Sequence, residues 1–379
     1  MIKIGITGQE GFVGSYLYNT IGLQPEKYER VPFKRDFFQD AALLDSFVSS
    51  CDVIIHLAAM NRHTDQEVIY QTNKDLVSQL VESLKRTGAK PHVLFSSSTQ
   101  EERDNLYGKS KREGRLLIEN WAKENNASFS GLIIPNVFGP FGKPFYNSVV
   151  ATFCYQLTHN QTPTIDQDSV IKLVYVGELV DHVIKLIEIN NGNVISSKST
   201  EVVDIPHSKE IKVSQILDLL DSYKEKYLEK GIIPGFGDVF ERNLFNTYRS
   251  YIDLGNHYPV KYTPHSDNRG SFVEIIKLEA GGQVSFSTTV PDITRGNHYH
   301  TRKIERFSVI KGEALIQLRK VNTTEILNFN LSGSEPSFVD MPIWYTHNIK
   351  NVGKEDLYTV FWINEFFDPQ DADTYFETV

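Results

Sequence analysis

Tyr107 and Lys111 stand four positions apart, and His298, His300, Glu305 and His347 gather three imidazoles and a carboxylate towards the other end of the chain. These are the residues whose types and spacing could do chemistry. On a helix, positions i and i+4 share a face. An ammonium beside a phenol stabilises phenolate and draws the phenol pKa down from ~10. Tyr107 would then exchange a proton with a carbonyl oxygen near neutral pH, as a general acid or base. His298 and His300 alternate along a strand-like run, so both side chains leave one face. If Glu305 and His347 converge on them, the four make a donor set for a divalent transition metal.

A third feature is a turn, Gly8-Gln-Glu-Gly11-Phe-Val-Gly14. Glycines there let the backbone turn tightly and approach a pyrophosphate, which meets the start of the following helix. The end of the second strand selects between the two nicotinamide dinucleotides. Here it reads Val31-Pro-Phe-Lys34-Arg35, with Asp36 next. Arg35 is placed to pair with a 2′-phosphate, which favours NADPH over NADH.

The elements that must carry these residues follow from the pattern of apolar runs. Met1 to Thr7 reads as a strand, with a helix from about Phe12. Val53 to Ala59 and Val93 to Ser98 are near-continuous apolar runs, as in parallel strands buried on both faces. Leu76, Leu80 and Leu84 mark one face of a helix that Gly88-Ala-Lys-Pro91 stops. Gly131 to Pro135 and Leu173 to Val176 read as further strands, and Val213 to Leu228 as a helix. Strand alternating with helix predicts a Rossmann-type doubly wound parallel sheet. From Gly270 onward, short β-type runs predict an all-β sandwich or barrel. The boundary is expected near 245 to 255, giving domains 1–247 and 248–379.

The 379 residues suffice for two or three cores. A net charge of −9 without a long basic run argues against nucleic-acid binding. Lys172, Lys198, Lys209 and Lys212 are scattered and read as solvated surface. Cys51 and Cys154 are the only cysteines and suit packing in a reducing compartment. No apolar run approaches the ~20 residues that span a bilayer, and no leader-type segment is evident. A soluble cytoplasmic protein without membrane insertion is expected.

Several stretches carry a resemblance. Thr7-Gly-x-x-Gly-x-x-Gly14, Asp52-Val-x-x-His-Leu-Ala-Ala59, Asn73, Ser96 to Ser98, Tyr107 with Lys111, and Asn136-Val-Phe-Gly-Pro140 resemble the extended short-chain dehydrogenase/reductase superfamily. The resemblance implies that Gly8, Gly11, Phe12, Val13, Gly14, Arg35, Leu57, Ala58, Ala59, Asn73 and Lys111 hold the dinucleotide. It implies Ser98, with Thr99 as alternative, as the hydroxyl on the substrate oxygen beside Tyr107 and Lys111. Only nine positions separate Ser98 from Tyr107, so the loop between them is trimmed. The pattern Gly296-Asn-His298-x-His300-x₄-Glu305-x₆-Gly312, with Pro342-x₄-His347-x₃-Asn351, resembles the two cupin motifs with all four ligand positions filled. Asp267-Asn-Arg269-Gly-Ser-Phe272-Val-Glu274 and Arg295-Gly-Asn-His298-Tyr resemble segments of the nucleotide-sugar 3,5-epimerases, where the histidine is catalytic. One nitrogen of His298 cannot both bind metal and act as base, so Tyr299, Lys303 and Arg295 remain alternatives for the base.

From the glycine turn to Phe367-Asp-Pro-Gln-x-x-Asp373-Thr-Tyr-Phe376, the whole chain resembles the CapF-type capsular polysaccharide synthesis proteins. That resemblance implies a reductase domain followed by a cupin (jelly-roll) β-barrel with Zn2+, a homodimer, and UDP-activated 2-acetamido-2,6-dideoxy-4-keto-hexoses on the route to UDP-N-acetyl-L-fucosamine. The expected chemistry is epimerisation at C3, then NADPH-dependent reduction at C4 to UDP-2-acetamido-2,6-dideoxy-L-talose. Three rival readings remain. One is a reductase whose second domain only braces or dimerises it. Another is a 4,6-dehydratase using Glu101, Glu102 or Asp104. The third is a nucleotide-sensing binding protein.

Overall fold

The structure, a computed structural model, describes residues 1–191 and 199–379; Lys198 lies outside them. The chain packs as two compact units, Met1–Val149 with Gln167–Val213, and Val150–Asp166 with Ser214–Val379. The junction expected at 247/248 falls inside a helix of the second unit, Val239–Arg249. That helix buries Phe240, Leu244, Phe245 and Tyr248, and its Arg249 donates to the Met341 carbonyl at 3.0 Å. Helical periodicity reveals a buried face without revealing which strands cover it.

In the first unit, strands β1 (Ile2–Thr7), β2 (Tyr28–Val31), β3 (Val53–His56), β4 (His92–Ser98) and β5 (Phe129–Ile134), with Thr200–Asp204, form one sheet in the order β2-β1-β3-β4-β5 and then Thr200–Asp204. Every pairing in it is parallel. β3 is buried at all four positions, as its unbroken apolar run predicts. Helices α1 (Phe12–Ile21), α2 (Ala41–Ser50), α3 (Gln66–Thr87) and α4 (Leu106–Asn125) connect the strands. Asp40 caps α2 by accepting from Ala42 and Leu43 N–H. α3 ends at Gly88 with φ +66°, the left-handed stop that glycine takes without strain. Phe47, Val48, Ile54, Leu80, Leu84, Phe95 and Trp121 form the core between these helices and the sheet. Each such side chain contributes about 1.5–3 kcal/mol on burial.

The second unit holds two five-stranded antiparallel sheets. One runs Val260–Lys261, Ser337–Met341, Glu305–Lys311, Leu357–Ile363, Gln283–Thr289. The other runs Ile326–Ser332, Glu313–Lys320, Tyr345–Asn351, Thr294–Tyr299, Tyr375–Phe376. The fold is therefore the expected parallel α/β sheet followed by antiparallel β-structure. Among the described residues no helix is long and apolar enough to cross a membrane.

Candidate functional site

The first unit positions its polar groups at strand ends. β1 pairs with β2 on one side and β3 on the other, so the strand order reverses there, and doubly wound sheets take ligands in the crevice outside that point. Gly8 follows β1 at φ +79°, and a Cβ on Gly14 would lie 2.1 Å from the Gly8 carbonyl oxygen. Gly11 caps α1 without a side-chain bond, leaving that helix start to an anion. A cleft of about 470 Å³ opens here. Of the expected residues, Gly8, Gly11, Arg35, Ala58 and Ala59 line it; Phe12, Val13, Gly14, Leu57, Asn73 and Lys111 do not. Asn73 is buried and spends its amide on the Met60 N–H (2.7 Å), the Met60 carbonyl and the Ser110 hydroxyl. It shapes the wall instead of facing the cleft. The glycine cradle, the uncapped helix start and the exposed Arg35 together fit a dinucleotide phosphate ester.

Sequence reasoning missed Phe33, Phe38, Arg62 and Tyr146, which also line the cleft. Phe33 and Phe38 bracket Arg35, a local signal that was available. Arg62 donates to the Phe145 and Tyr146 carbonyls, each at 2.7 Å, a contact across more than eighty residues that no motif announces.

Tyr107 and Lys111 share a face in the first turns of α4. The Lys111 ammonium lies 5.9 Å from the Tyr107 ring centroid and donates to the Ser96 carbonyl at 2.8 Å. The direction expected for the phenol is corrected by the structure. Burial, with a smaller contribution from Tyr146, pushes Tyr107 up to about 12. Burial likewise pushes Lys111 down to about 8, against an opposing pull from Glu101. Desolvation therefore outweighs the Tyr107–Lys111 attraction at this separation.

The trimmed link from Ser98 to Tyr107 is a short 3₁₀ helix, Thr99–Glu102, followed by the Asn105 cap of α4. Ser98 Oγ accepts from Gln100 N–H at 3.2 Å and keeps its own proton to donate; Thr99 is exposed. A Cβ at Gly108 would lie 1.9 Å from the Gln100 carbonyl, so glycine permits this tight approach. Glu101 takes three bonds from Arg115 and one from the Ser97 hydroxyl, which occupies a carboxylate the dehydratase reading would need.

The second unit brings His298, His300, Glu305 and His347 together, with one donor atom of each within 4.8 Å of the others. His298 and His347 are direct cross-strand partners on one sheet, and Glu305 opens a strand of the other. The register shifts between Gly296 and His298, and Gly296 (φ +99°) and Asn297 (φ +59°) both turn left-handed. Such a bulge re-aims the next side chain. Glu305 Oε2 lies 3.1 Å from His300 Nε2 and 3.3 Å from His347 Nε2. None of these three buried atoms has a partner with hydrogen-bond geometry.

The Asp373 carbonyl can only accept, so His300 Nδ1 must donate to it and Nε2 carries the lone pair. His347 Nδ1 faces the Tyr345 carbonyl at 3.3 Å in the same sense. Nitrogen lone pairs against a carboxylate call for a proton or a cation between them. Burial, then His347 and His300, push His298 down to about 4, so it is neutral at pH 7. Burial raises the Glu305 carboxyl, but His300 and His347 outweigh it and hold the group well below the carboxylate range. Two histidines presenting Nε2, a neutral third and one carboxylate fit a transition metal such as zinc.

The alternatives named for the base point elsewhere. Tyr299 is buried between Trp344 and Tyr375, on the other side of the strand from His298. Lys303 donates to the Ala372 carbonyl at 2.7 Å, and the exposed Arg295 to that of Thr288. Asp267 and Arg269 pair with each other on an exposed hairpin, Pro264–Asp267 with Gly270–Val273.

Known proteins resemble this chain over its whole length. Residues 4–196 match the NAD dependent epimerase/dehydratase family, and residues 265–375 match the polysaccharide biosynthesis C-terminal domain. A Pseudomonas aeruginosa protein named UDP-2-acetamido-2,6-beta-L-arabino-hexul-4-ose reductase is 33% identical over 99% of this chain and 98% of its own. The capsular polysaccharide assembling protein CapF from Staphylococcus aureus is 35% identical, with a TM-score of 0.61 over 99% of this chain and 100% of that one. RMD from Pseudomonas aeruginosa, solved with NADPH, shares the fold at 20% identity, a TM-score of 0.52, and 59% and 84% coverage. The chain belongs to the NAD dependent epimerase/dehydratase family, among the CapF-type proteins that join such a domain to a second, β-rich one.

Proposed function

We propose that the chain is a two-site nucleotide-sugar enzyme of capsule or O-antigen synthesis. The second unit, as a cupin epimerase, inverts C3 of a UDP-2-acetamido-2,6-dideoxy-4-keto-hexose. The first unit, which carries the glycine turn, Tyr107 and Lys111, reduces C4 with NADPH, giving UDP-2-acetamido-2,6-dideoxy-L-talose, a precursor of UDP-N-acetyl-L-fucosamine. A cytoplasmic homodimer belongs to the same proposal. The observation that carries the reading is a largely buried three-histidine, one-carboxylate group in the same chain as a glycine-turn crevice and the Tyr107–Lys111 pair, along the full length of a relative named as a keto-sugar reductase.

Chemistry sets the order. A C3–H beside the C4 ketone is acidic because its carbanion is an enolate, and reduction removes that acidity. Inversion therefore comes first. A base takes the C3 proton from one face, and a proton returns to the other. His298, neutral and half-buried, is the residue at the open side of the group. At C4, Tyr107 gives its phenolic proton to the oxygen that becomes the hydroxyl, with the Ser98 hydroxyl donating to the same oxygen. Lys111 supplies positive charge beside Tyr107, and Arg35 pairs with the 2′-phosphate. When bound, the dinucleotide supplies the hydride to C4, and a zinc ion held by His300, Glu305 and His347, with His298 as fourth ligand whenever it is not acting as the base, supplies positive charge.

A second reading, a reductase with a metal-braced β-domain, is favoured by one observation. Four donors, three of them buried, make a filled set of the kind found at structural zinc sites. Tyr107→Phe and His298→Ala distinguish the readings. Tyr107→Phe is expected to lower NADPH oxidation by ~10²–10⁴-fold while C3 inversion continues. His298→Ala is expected to do the reverse. Unchanged NADPH oxidation in the first would remove Tyr107 from its role. Unchanged inversion in a folded His298→Ala protein would favour the reductase-only reading.

A further inference from the structure

The segment Asp371 to Glu377 runs past the backbone beside three of the four donors. Tyr375–Phe376 pairs as a strand with His298 and Tyr299. The Thr346 hydroxyl, next to His347, donates to the Glu377 carbonyl. Asp373 makes the most specific contacts. Its carbonyl accepts from His300 Nδ1. Its carboxylate accepts from the Thr301 N–H (3.0 Å) and hydroxyl (2.6 Å), the Arg302 N–H (3.0 Å) and the Lys303 N–H (3.0 Å). It is 5% exposed and holds a left-handed backbone, φ +40°. Three consecutive N–H groups bound to one buried carboxylate fix the turn that follows His300.

We propose that Asp373 is a positioning residue for the metal group, an inference that rests on the metal reading above. Its main-chain carbonyl sets the tautomer and tilt of the His300 ring, and its carboxylate holds the 301–303 turn so that the ring stays within reach of Glu305. Groups that orient a ligating imidazole through its second nitrogen typically change metal affinity by ~10–100-fold.

The test uses the full chain stripped by chelator and titrated with Zn2+, in the wild type and in Asp373→Asn, Asp373→Ala and Asp371→Ala variants. The visible spectrum of bound Co2+ is read alongside. Asn accepts the left-handed backbone and keeps one acceptor oxygen, but its amide nitrogen cannot accept from N–H groups. Asp371 binds Arg302 in the same segment and serves as a control for general loosening. Asp373→Ala is expected to weaken Zn2+ by ~10–100-fold and shift the Co2+ spectrum. Asp373→Asn falls between it and the wild type, and Asp371→Ala is unchanged. Should Asp373→Ala not fold, weaker affinity in Asp373→Asn supports the placement and unchanged affinity overturns it. Metal uptake by the wild type with an unaffected Asp373→Ala, or an equal loss in Asp371→Ala, sinks the placement alone. Absence of uptake by the wild type sinks the metal reading and the placement with it.

Discussion

The cleft of the first unit and the four-donor group of the second hold polar groups in opposite ways. In the first, Gly8, Gly11 and Arg35 line a cleft at strand ends, where backbone N–H groups and exposed charge meet solvent. In the second, His300, Glu305 and His347 are 3%, 6% and 2% exposed between two sheets. Close behind Glu305, Arg306 and Asp340 are each 1% exposed and joined by two hydrogen bonds of 2.7 and 2.9 Å. Tyr227 bridges Asp340 to Arg249, itself 2% exposed. A strand-end site tolerates charge because water screens it. A site between sheets tolerates charge only when every ion has a partner.

That contrast can be broken most sharply at Asp340. Asp340→Ala leaves the buried Arg306 guanidinium without its carboxylate and is expected to cost about 3–5 kcal/mol in denaturant unfolding. Arg35→Ala, at the exposed site, is expected to stay within about 0.5 kcal/mol. Equal costs would show that burial does not separate the two regions. Arg35→Ala should act on binding instead. Losing hydrogen bonds to a phosphate costs about 1.5–3 kcal/mol, so the preference for NADPH over NADH is expected to fall by ~10–100-fold. Unchanged preference would move 2′-phosphate recognition to another residue.

The smallest effect concerns pH. Lys111, pushed down to about 8, loses its charge as pH rises through that value, while Tyr107, held at about 12, keeps its proton. NADPH oxidation is therefore expected to decline above about pH 8 with a one-proton dependence. The unfolded lysine titrates near ~10.4, so the folded state binds fewer protons between these values. Stability from this group rises with pH across that window. Lys111→Arg, always charged, should remove the activity decline. A decline unchanged in that variant would assign it to another group.

The first unit was more legible in the sequence because its motifs are local. The glycine turn, Tyr107 with Lys111, and the apolar strands each lie within a few residues, where spacing translates directly into geometry. Their electrostatics were not legible. Whether Lys111 lowers the Tyr107 pKa depends on a separation and a burial that spacing does not contain. In the second unit the four donors were legible because alternation fixes which face His298 and His300 use. Asp373, about seventy residues further on, was not, because its contacts run to main-chain N–H groups that carry no residue-specific signal. Arg249 was likewise invisible as a partner of Asp340, and with it the helix that packs on the strands beyond the expected boundary.

The most direct test incubates the protein with UDP-2-acetamido-2,6-dideoxy-4-keto-hexose in heavy water without NADPH, followed by mass spectrometry and proton NMR. The account predicts that solvent deuterium enters at C3, in the wild type and in Tyr107→Phe alike. No exchange without NADPH, with ordinary C4 reduction once it is added, would contradict the two-site account and leave a reductase with a metal-braced β-domain.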